Sequence, residues 1–262
     1  MGKLKVIYNR IYNDFLMPSR LKEYEKIIKK SIESGYEHIT FKDYYKKLVN
    51  NQLDNKRYFL NRHDIDTDLR TAKKFFEIEK KYGVKATYYF RLSTLDFKFM
   101  KEINSYGSEV GYHFEEIAQY CKDNHIKSAT EAMLNIDKIK EIFIKNIQNL
   151  EKNLGFKIET VASHGDFVNR KLGIINNEIT NDKELRKKVG ILIESYDKKL
   201  MDSFDIYISD KQYPIFYAPI NIFDAIGKYN IICMLTHPRQ WEVNVFVNIS
   251  DNLKRIWEGI KW

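Results

Sequence analysis

The chain has 262 residues, 44% of them apolar and 14% aromatic, enough to bury one sizeable core, and no Ser/Gly/Pro-rich tract divides it. Its formal charge of +8, from 44 basic and 36 acidic residues, is spread along amphipathic segments such as KKFFEIEKKYG. With no zinc finger, RNP signature or basic arm, that spread argues against nucleic acid and leaves an anionic sugar precursor or a membrane surface open as partners.

In chain order, residues 1 to about 55 read as a helical N-terminal extension and about 56 to 262 as the body of the same single domain. MGKLKVIYNRIYNDF lacks the apolar run and small-residue cleavage site of a secretory signal, and no later segment approaches membrane-spanning length, so a cytoplasmic location is expected. RYFLNRHD predicts a strand. DLRTAKKFFEIEKKYG predicts a helix with Ala72, Phe75, Phe76 and Ile78 inward and Gly83 at its C-cap. VKATYYFRL, SEVGYHF and ETVASHGD read as further strands, with DFKFMKEINSYG a helix between the first two. One long helix is predicted from about Ser128 to Leu154, opened by a Ser128-x-x-Glu131 capping box. VGILIES, FDIYIS and YNIICMLTHP are the remaining strands, and ISDNLKRIWEGIKW closes the chain as an amphipathic helix. This alternation, without a dinucleotide glycine fingerprint, predicts an α/β fold with parallel strands closed into a barrel or barrel-like sheet, whose site lies at the C-terminal strand ends.

The segment RHDIDTD spaces Asp64, Asp66 and Asp68 alternately at such an end. An EF-hand loop is excluded, because Leu69 stands where it needs glycine and Phe75 where it needs a bidentate glutamate. Asp68, with Thr67, reads as a helix cap. For Asp64 and Asp66 two readings stay open: a DxD grip on a divalent metal and a sugar-nucleotide diphosphate, or a metal ligand beside a general base. The second needs nitrogen ligands, and His113, His164 and His237 stand at three other predicted strand ends. His38 and His125 lie in polar surroundings and read as surface residues. Cys121 and Cys233 form no CxxC pair, and Cys233, inside NIICML, reads as a small buried hydrophobe.

Taken together and in order, RHDID, KKYGVKATYYFRL, SEVGYHFE, ASHGD and LTHP resemble polysaccharide deacetylases of the carbohydrate esterase family 4 type, in an atypical branch associated with capsule and O-antigen biosynthesis. The resemblance spans about Arg57 to Pro238. It implies a deformed (β/α) barrel and metal-dependent removal of an N-acetyl or other small N-acyl group from an amino sugar carried on a nucleotide or a lipid. It implies Asp64 as base and Asp66 as metal ligand, with the reverse left open, and His113 as a second ligand. Typical members carry another histidine four residues on, where this chain has Ile117, so His164 is the implied replacement. His237 becomes the general acid, and Asp210 orients a catalytic neighbour. The expected ion is Zn²⁺, which brings the pKa of bound water from 15.7 to about 7.

Around this set, Arg91 and Arg239 are candidate anion contacts, Glu115 a partner of the ligands, and Tyr112 and Trp241 candidate sugar-stacking surfaces. The competing expectations are a glycosyltransferase using Asp64 and Asp66 as DxD, and an inactive carbohydrate-binding barrel.

Overall fold

A computed structural model describes residues 2–262. Nine strands make one sheet: β1 (Tyr36–His38), β2 (Arg57–Ile65), β3 (Thr87–Phe90), β4 (Glu109–Phe114), β5 (Thr160–Ser163), β6 (Ile193–Glu194), β7 (Ile206–Asp210), β8 (Tyr217–Ala218) and β9 (Ile231–Thr236). Their order is β6-β5-β4-β3-β2-β9-β7-β8, with β1 paired to the start of β2. Among the described residues only β7 and β8 run antiparallel. The fold is α/β, a curled, parallel-dominated sheet that forms a deformed (β/α) barrel, and no pairing among the described residues joins β6 to β7.

Strand β2 sits between β3 and β9 and is buried along all but its first residue. Its side chains alternate with period two. Phe59 faces outward and packs with Tyr24, Phe75, Ile232 and Met234 under the helices Leu21–Glu33 and Leu69–Tyr82. Tyr58 and Leu60 face inward beside Cys233 and Ile193. Along that inner face the strand then turns polar, with Arg62 and Asp64, so the barrel interior is apolar at one end and charged at the other.

The neighbouring strands supply the same inner row. Asp64 lies level with Tyr89, and Tyr89 with Gly111. Gly111 is required there: a Cβ would stand 2.3 Å from Tyr89 Cε1 and 2.8 Å from the Thr160 carbonyl oxygen.

Several local expectations are refined. Asp68 is the N-cap of Leu69–Tyr82, accepting from the Thr71 N–H, and Gly83 closes that helix in the left-handed conformation. The predicted long helix is two, Ala129–Leu134 and Ile136–Leu154, broken at Asn135. There the Asn135 side chain donates to the Glu131 carbonyl and accepts from Tyr120, competing with the backbone ladder. His38 is not a surface residue, since Ser31 and Asn61 hold its two ring nitrogens and burial lowers its pKa to about 3. Tyr112 and Trp241 are buried and present no ring to a sugar.

The last helix begins at Val245, capped by Asn244, whose Nδ2 also donates to Asp68 Oδ1. Its polar face turns inward. Asp251 pairs with Arg239, Asn248 donates to the Asp14 carbonyl, and Asn252 contacts Asp14, joining this helix to residues 10–14. No helix among the described residues is long and apolar enough to cross a membrane.

Gly111→Ala is expected to lower stability by about 1–3 kcal/mol through overpacking against a backbone oxygen that cannot swing away. Gly259→Ala, where the added methyl meets open space inside a helix, should be neutral or stabilising by up to about 1 kcal/mol. Urea unfolding of both variants checks the contrast, and equal midpoints would sink it.

Candidate functional site

The charged end of the barrel gathers Asp64 and Asp66 after β2, Arg91 after β3, His113 and Glu115 at β4, His164 after β5 and His237 after β9. Strand β2 ends at Ile65, and the Asp66 N–H donates back to the Asp64 carbonyl, a tight bend that keeps both carboxylates over the interior. Ligand atoms of Asp66, His113 and His164 lie within 4.8 Å of one another.

The two imidazoles are aimed by what lies behind them. His113 Nδ1–H donates to the Ala162 carbonyl at 2.9 Å, which leaves Nε2 facing the cluster, 3.3 Å from Asp66 Oδ1 and 3.4 Å from Asp64 Oδ2. His164 Nδ1 lies 3.2 Å from Glu115 Oε2, outside hydrogen-bond geometry, and its Nε2 lies 3.7 Å from Asp66 Oδ1. Asp66 Oδ1 is thus approached by two ring nitrogens, yet it is a buried oxygen with no hydrogen-bond partner. Buried polar atoms are seldom left that way. One carboxylate and two imidazoles converging on a common point suit a divalent cation of the zinc type with a coordination position left for substrate or water. A second group, Glu115, His164 and Asp166, is equally close, but Arg91 and Lys122 already pair its carboxylates.

Asp64 is held differently. Arg62 Nε and Nη2 each donate to one of its oxygens at 2.8 Å, and the guanidinium itself sits 4.5 Å from the Tyr196 ring centroid and 5.3 Å from that of Tyr89. Burial would raise the Asp64 pKa, but Arg62 and His113 outweigh it and keep the carboxyl below its usual value. Burial likewise opposes charge on Asp66, and His164, His113 and His237 hold it well below the carboxylate range. For His113 burial acts downward, and Asp64 with Asp66 lifts the ring above the ordinary histidine value.

Across the mouth, Asp210 accepts from the His237 backbone N–H at 2.6 Å, pairs with His237 Nδ1 at 2.7 Å and accepts from Trp241 Nε1 at 2.8 Å. Burial disfavours the His237 cation, but Asp210, reinforced by Asp66 and Asp64, pushes its pKa up to about 9. Asp66, Asp210 and His237 open together onto a cleft of about 760 Å³.

The remaining candidates are already engaged within the protein. Arg91 chelates Glu115 at 2.6–3.0 Å, and Arg239 contacts Asp14, Asp251 and Asn252. Arg62 escapes sequence reasoning, and Trp241 is expected there only as a sugar-stacking surface. Arg62 was visible in RHDID, two residues before Asp64 and hence on the same strand face. Trp241 holds Asp210 by its indole N–H, a role no local pattern announces.

No protein-family model and no curated protein sequence matches the chain. Solved structures similar to it include the following three. The Streptococcus pyogenes deacetylase PplD in complex with acetate is 16% identical, with 81% of this chain and 80% of that one covered and a TM-score of 0.45. IcaB from Ammonifex degensii is 15% identical over 66% of this chain and 74% of its own, with a TM-score of 0.47. A BA3943 mutant, titled a CE4 family pseudoenzyme with restored enzymatic activity, is 15% identical over 79% and 69%, with a TM-score of 0.41.

Since the folded pKa of His237 exceeds its ordinary 6.5, the His237–Asp210 pair stabilises the fold fully below pH 6.5 and loses that contribution as pH rises through about 9. Asp210→Asn should therefore weaken proton binding at the His237 ring about tenfold or more, read by NMR titration of chelator-treated protein. The stability gap between wild type and variant should shrink over the same window. An unmoved His237 midpoint would show that Asp210 does not set it.

Proposed function

We propose that the protein is a metal-dependent carbohydrate N-deacetylase of the polysaccharide deacetylase type, removing an acetyl or similarly small acyl group from an amino sugar. The observation that carries this reading is the convergence of His113 Nε2 and His164 Nε2 on the unpartnered Asp66 Oδ1, beside an Arg62-held Asp64. In this reading Asp66, His113 and His164 hold a divalent cation, with Zn²⁺ as the expected ion. When bound there, such an ion supplies Lewis acidity to an acyl oxygen and to water.

The chain's own groups then divide the proton work. Asp64, ionised and oriented by Arg62, takes the proton of the attacking water. His237, protonated at neutral pH through Asp210, gives a proton to the departing nitrogen as the C–N bond breaks, releasing the carboxylate and the free amine. Glu115 backs the His164 ring and is itself fixed by Arg91, so these two serve as support behind the ligands. Arg239, engaged by Asp14 and Asp251, braces the cleft wall.

The hydrolase is favoured over a DxD transferase because Arg62 already takes both oxygens of Asp64, leaving only Asp66 free for a metal. The cleft's volume suits a small sugar ligand. We read the substrate as a nucleotide- or lipid-linked precursor of a surface polysaccharide, handled in the cytoplasm, and both cysteines, free and buried, suit a reducing compartment. Residues 56–262 are read as the barrel, and the segment before them as its extension, which adds β1 to the sheet.

Metal-replete protein should release acetate from at least one member of a panel of nucleotide-linked N-acetyl sugars, and chelation should stop release until metal is restored. Asp64→Asn and His237→Ala should each cut kcat by about 10²–10⁴-fold. His113→Ala should lose bound metal by elemental analysis. Equal acetate release from wild type and Asp64→Asn, or full metal retention in His113→Ala, would overturn the assignment.

A further inference from the structure

The last helix, Val245–Lys261, wears its amphipathicity inside out. Its two acids and its amides face the protein, whereas Phe246, Ile249, Leu253, Ile256, Trp257 and Ile260 face solvent, with Phe246 86% and Ile260 74% exposed. At 100° per residue these six form one continuous stripe. The helix Lys3–Ile11 repeats the arrangement with Leu4, Ile7, Tyr8 and Ile11, and Leu4 is 84% exposed. Arg10 donates to Asn252 at 3.0 Å, and Asn252 donates to Asp14 at 2.9 Å, so the two segments are fastened to each other. Both line the cleft that opens on Asp66 and His237. An apolar surface of this extent beside a cleft calls for a cover.

Charge selects among covers. Every acidic residue of the two segments is turned inward and paired: Asp14 and Asp251 with Arg239, and Glu258 with Lys122. The exposed ionic groups beside the apolar stripes are Lys5, Arg10, Lys254 and Lys261, all cationic. Facing a second copy of this chain, they would meet like charge across the contact, on molecules that each carry +8. Facing an anionic lipid surface, they gain attraction while the stripe enters the acyl boundary, with Tyr8 and Trp257 at headgroup depth.

We infer that these two helices dock the protein onto an anionic phospholipid bilayer, lying in its interface with the cleft opening beside them. Docking goes beyond the deacetylase reading, and it is measured without turnover, so each can fail alone.

The test is flotation of the full chain with vesicles of phosphatidylcholine, or of phosphatidylcholine with about one third phosphatidylglycerol. Wild type should partition into the anionic vesicles at least tenfold more strongly than into the neutral ones, and raised salt should weaken this. The triple substitution Leu253→Ser, Trp257→Ser, Ile260→Ser should lose binding tenfold or more, with an unchanged melting temperature because these side chains are exposed. Lys254→Glu with Lys261→Glu should erase the anionic preference and keep the fold. Equal partitioning of wild type and the triple variant overturns the inference. So does a wild-type dimer in light scattering that the triple variant dissolves while neither binds vesicles, since the cover would then be a second copy.

Discussion

The charged end of the barrel depends on a guanidinium placed where no water reaches it. Arg62 has no exposed surface, and its two bonds to Asp64 are what make a charged inner row tolerable on the central strand. Removing one member of such a buried pair leaves the other charge uncompensated, at a cost of about 3–5 kcal/mol. The aromatic rings of Tyr89 and Tyr196 flank the guanidinium, and Tyr89 has room to do so only because Gly111 lacks a Cβ. A glycine on β4 thus determines, through a tyrosine and an arginine, where a carboxylate on β2 points.

Four carboxylates share this small region, and each is given a different partner. Asp64 has Arg62, Asp66 has two imidazole edges, Glu115 has Arg91, and Asp210 has His237 and the Trp241 indole. The partner determines what the acid can do. A bidentate guanidinium fixes orientation and ionisation; two ring nitrogens approach one oxygen without bonding it; an imidazole clamped at both backbone and ring stays charged at neutral pH. Chemically identical groups acquire distinct electrostatic settings from neighbours far away in sequence.

The parallel α/β alternation was legible because helical and strand periods differ and because Gly83 and Asp68 punctuate the first crossover. The positions of His113, His164 and His237 at strand ends were legible for the same reason. Strands β1 and β8 were not, being three and two residues long with no apolar run to mark them. Arg62 lay inside the motif yet carried no role, since its pairing with Asp64 follows only from knowing which face of β2 is interior. His38 and Trp241 misled for a related reason: polar neighbours along the chain do not report burial contributed by distant elements. Asn135 looked like one position in a long amphipathic helix until its side chain was seen to take the backbone's hydrogen bonds.

Asp14 is joined to Arg239 and Asn252, partners 225 and 238 residues further along. On a chain synthesised from its N-terminus, Asp14 therefore waits through more than 200 further residues before the groups that pair with it exist. Helix Leu21–Glu33 and strands β1 to β6 can be assembled in that interval, since their mutual contacts are already present. The rim of the cleft is then secured by groups that follow every strand of the barrel in the chain, so the order of manufacture places the pairing of the entrance behind the strands of the interior.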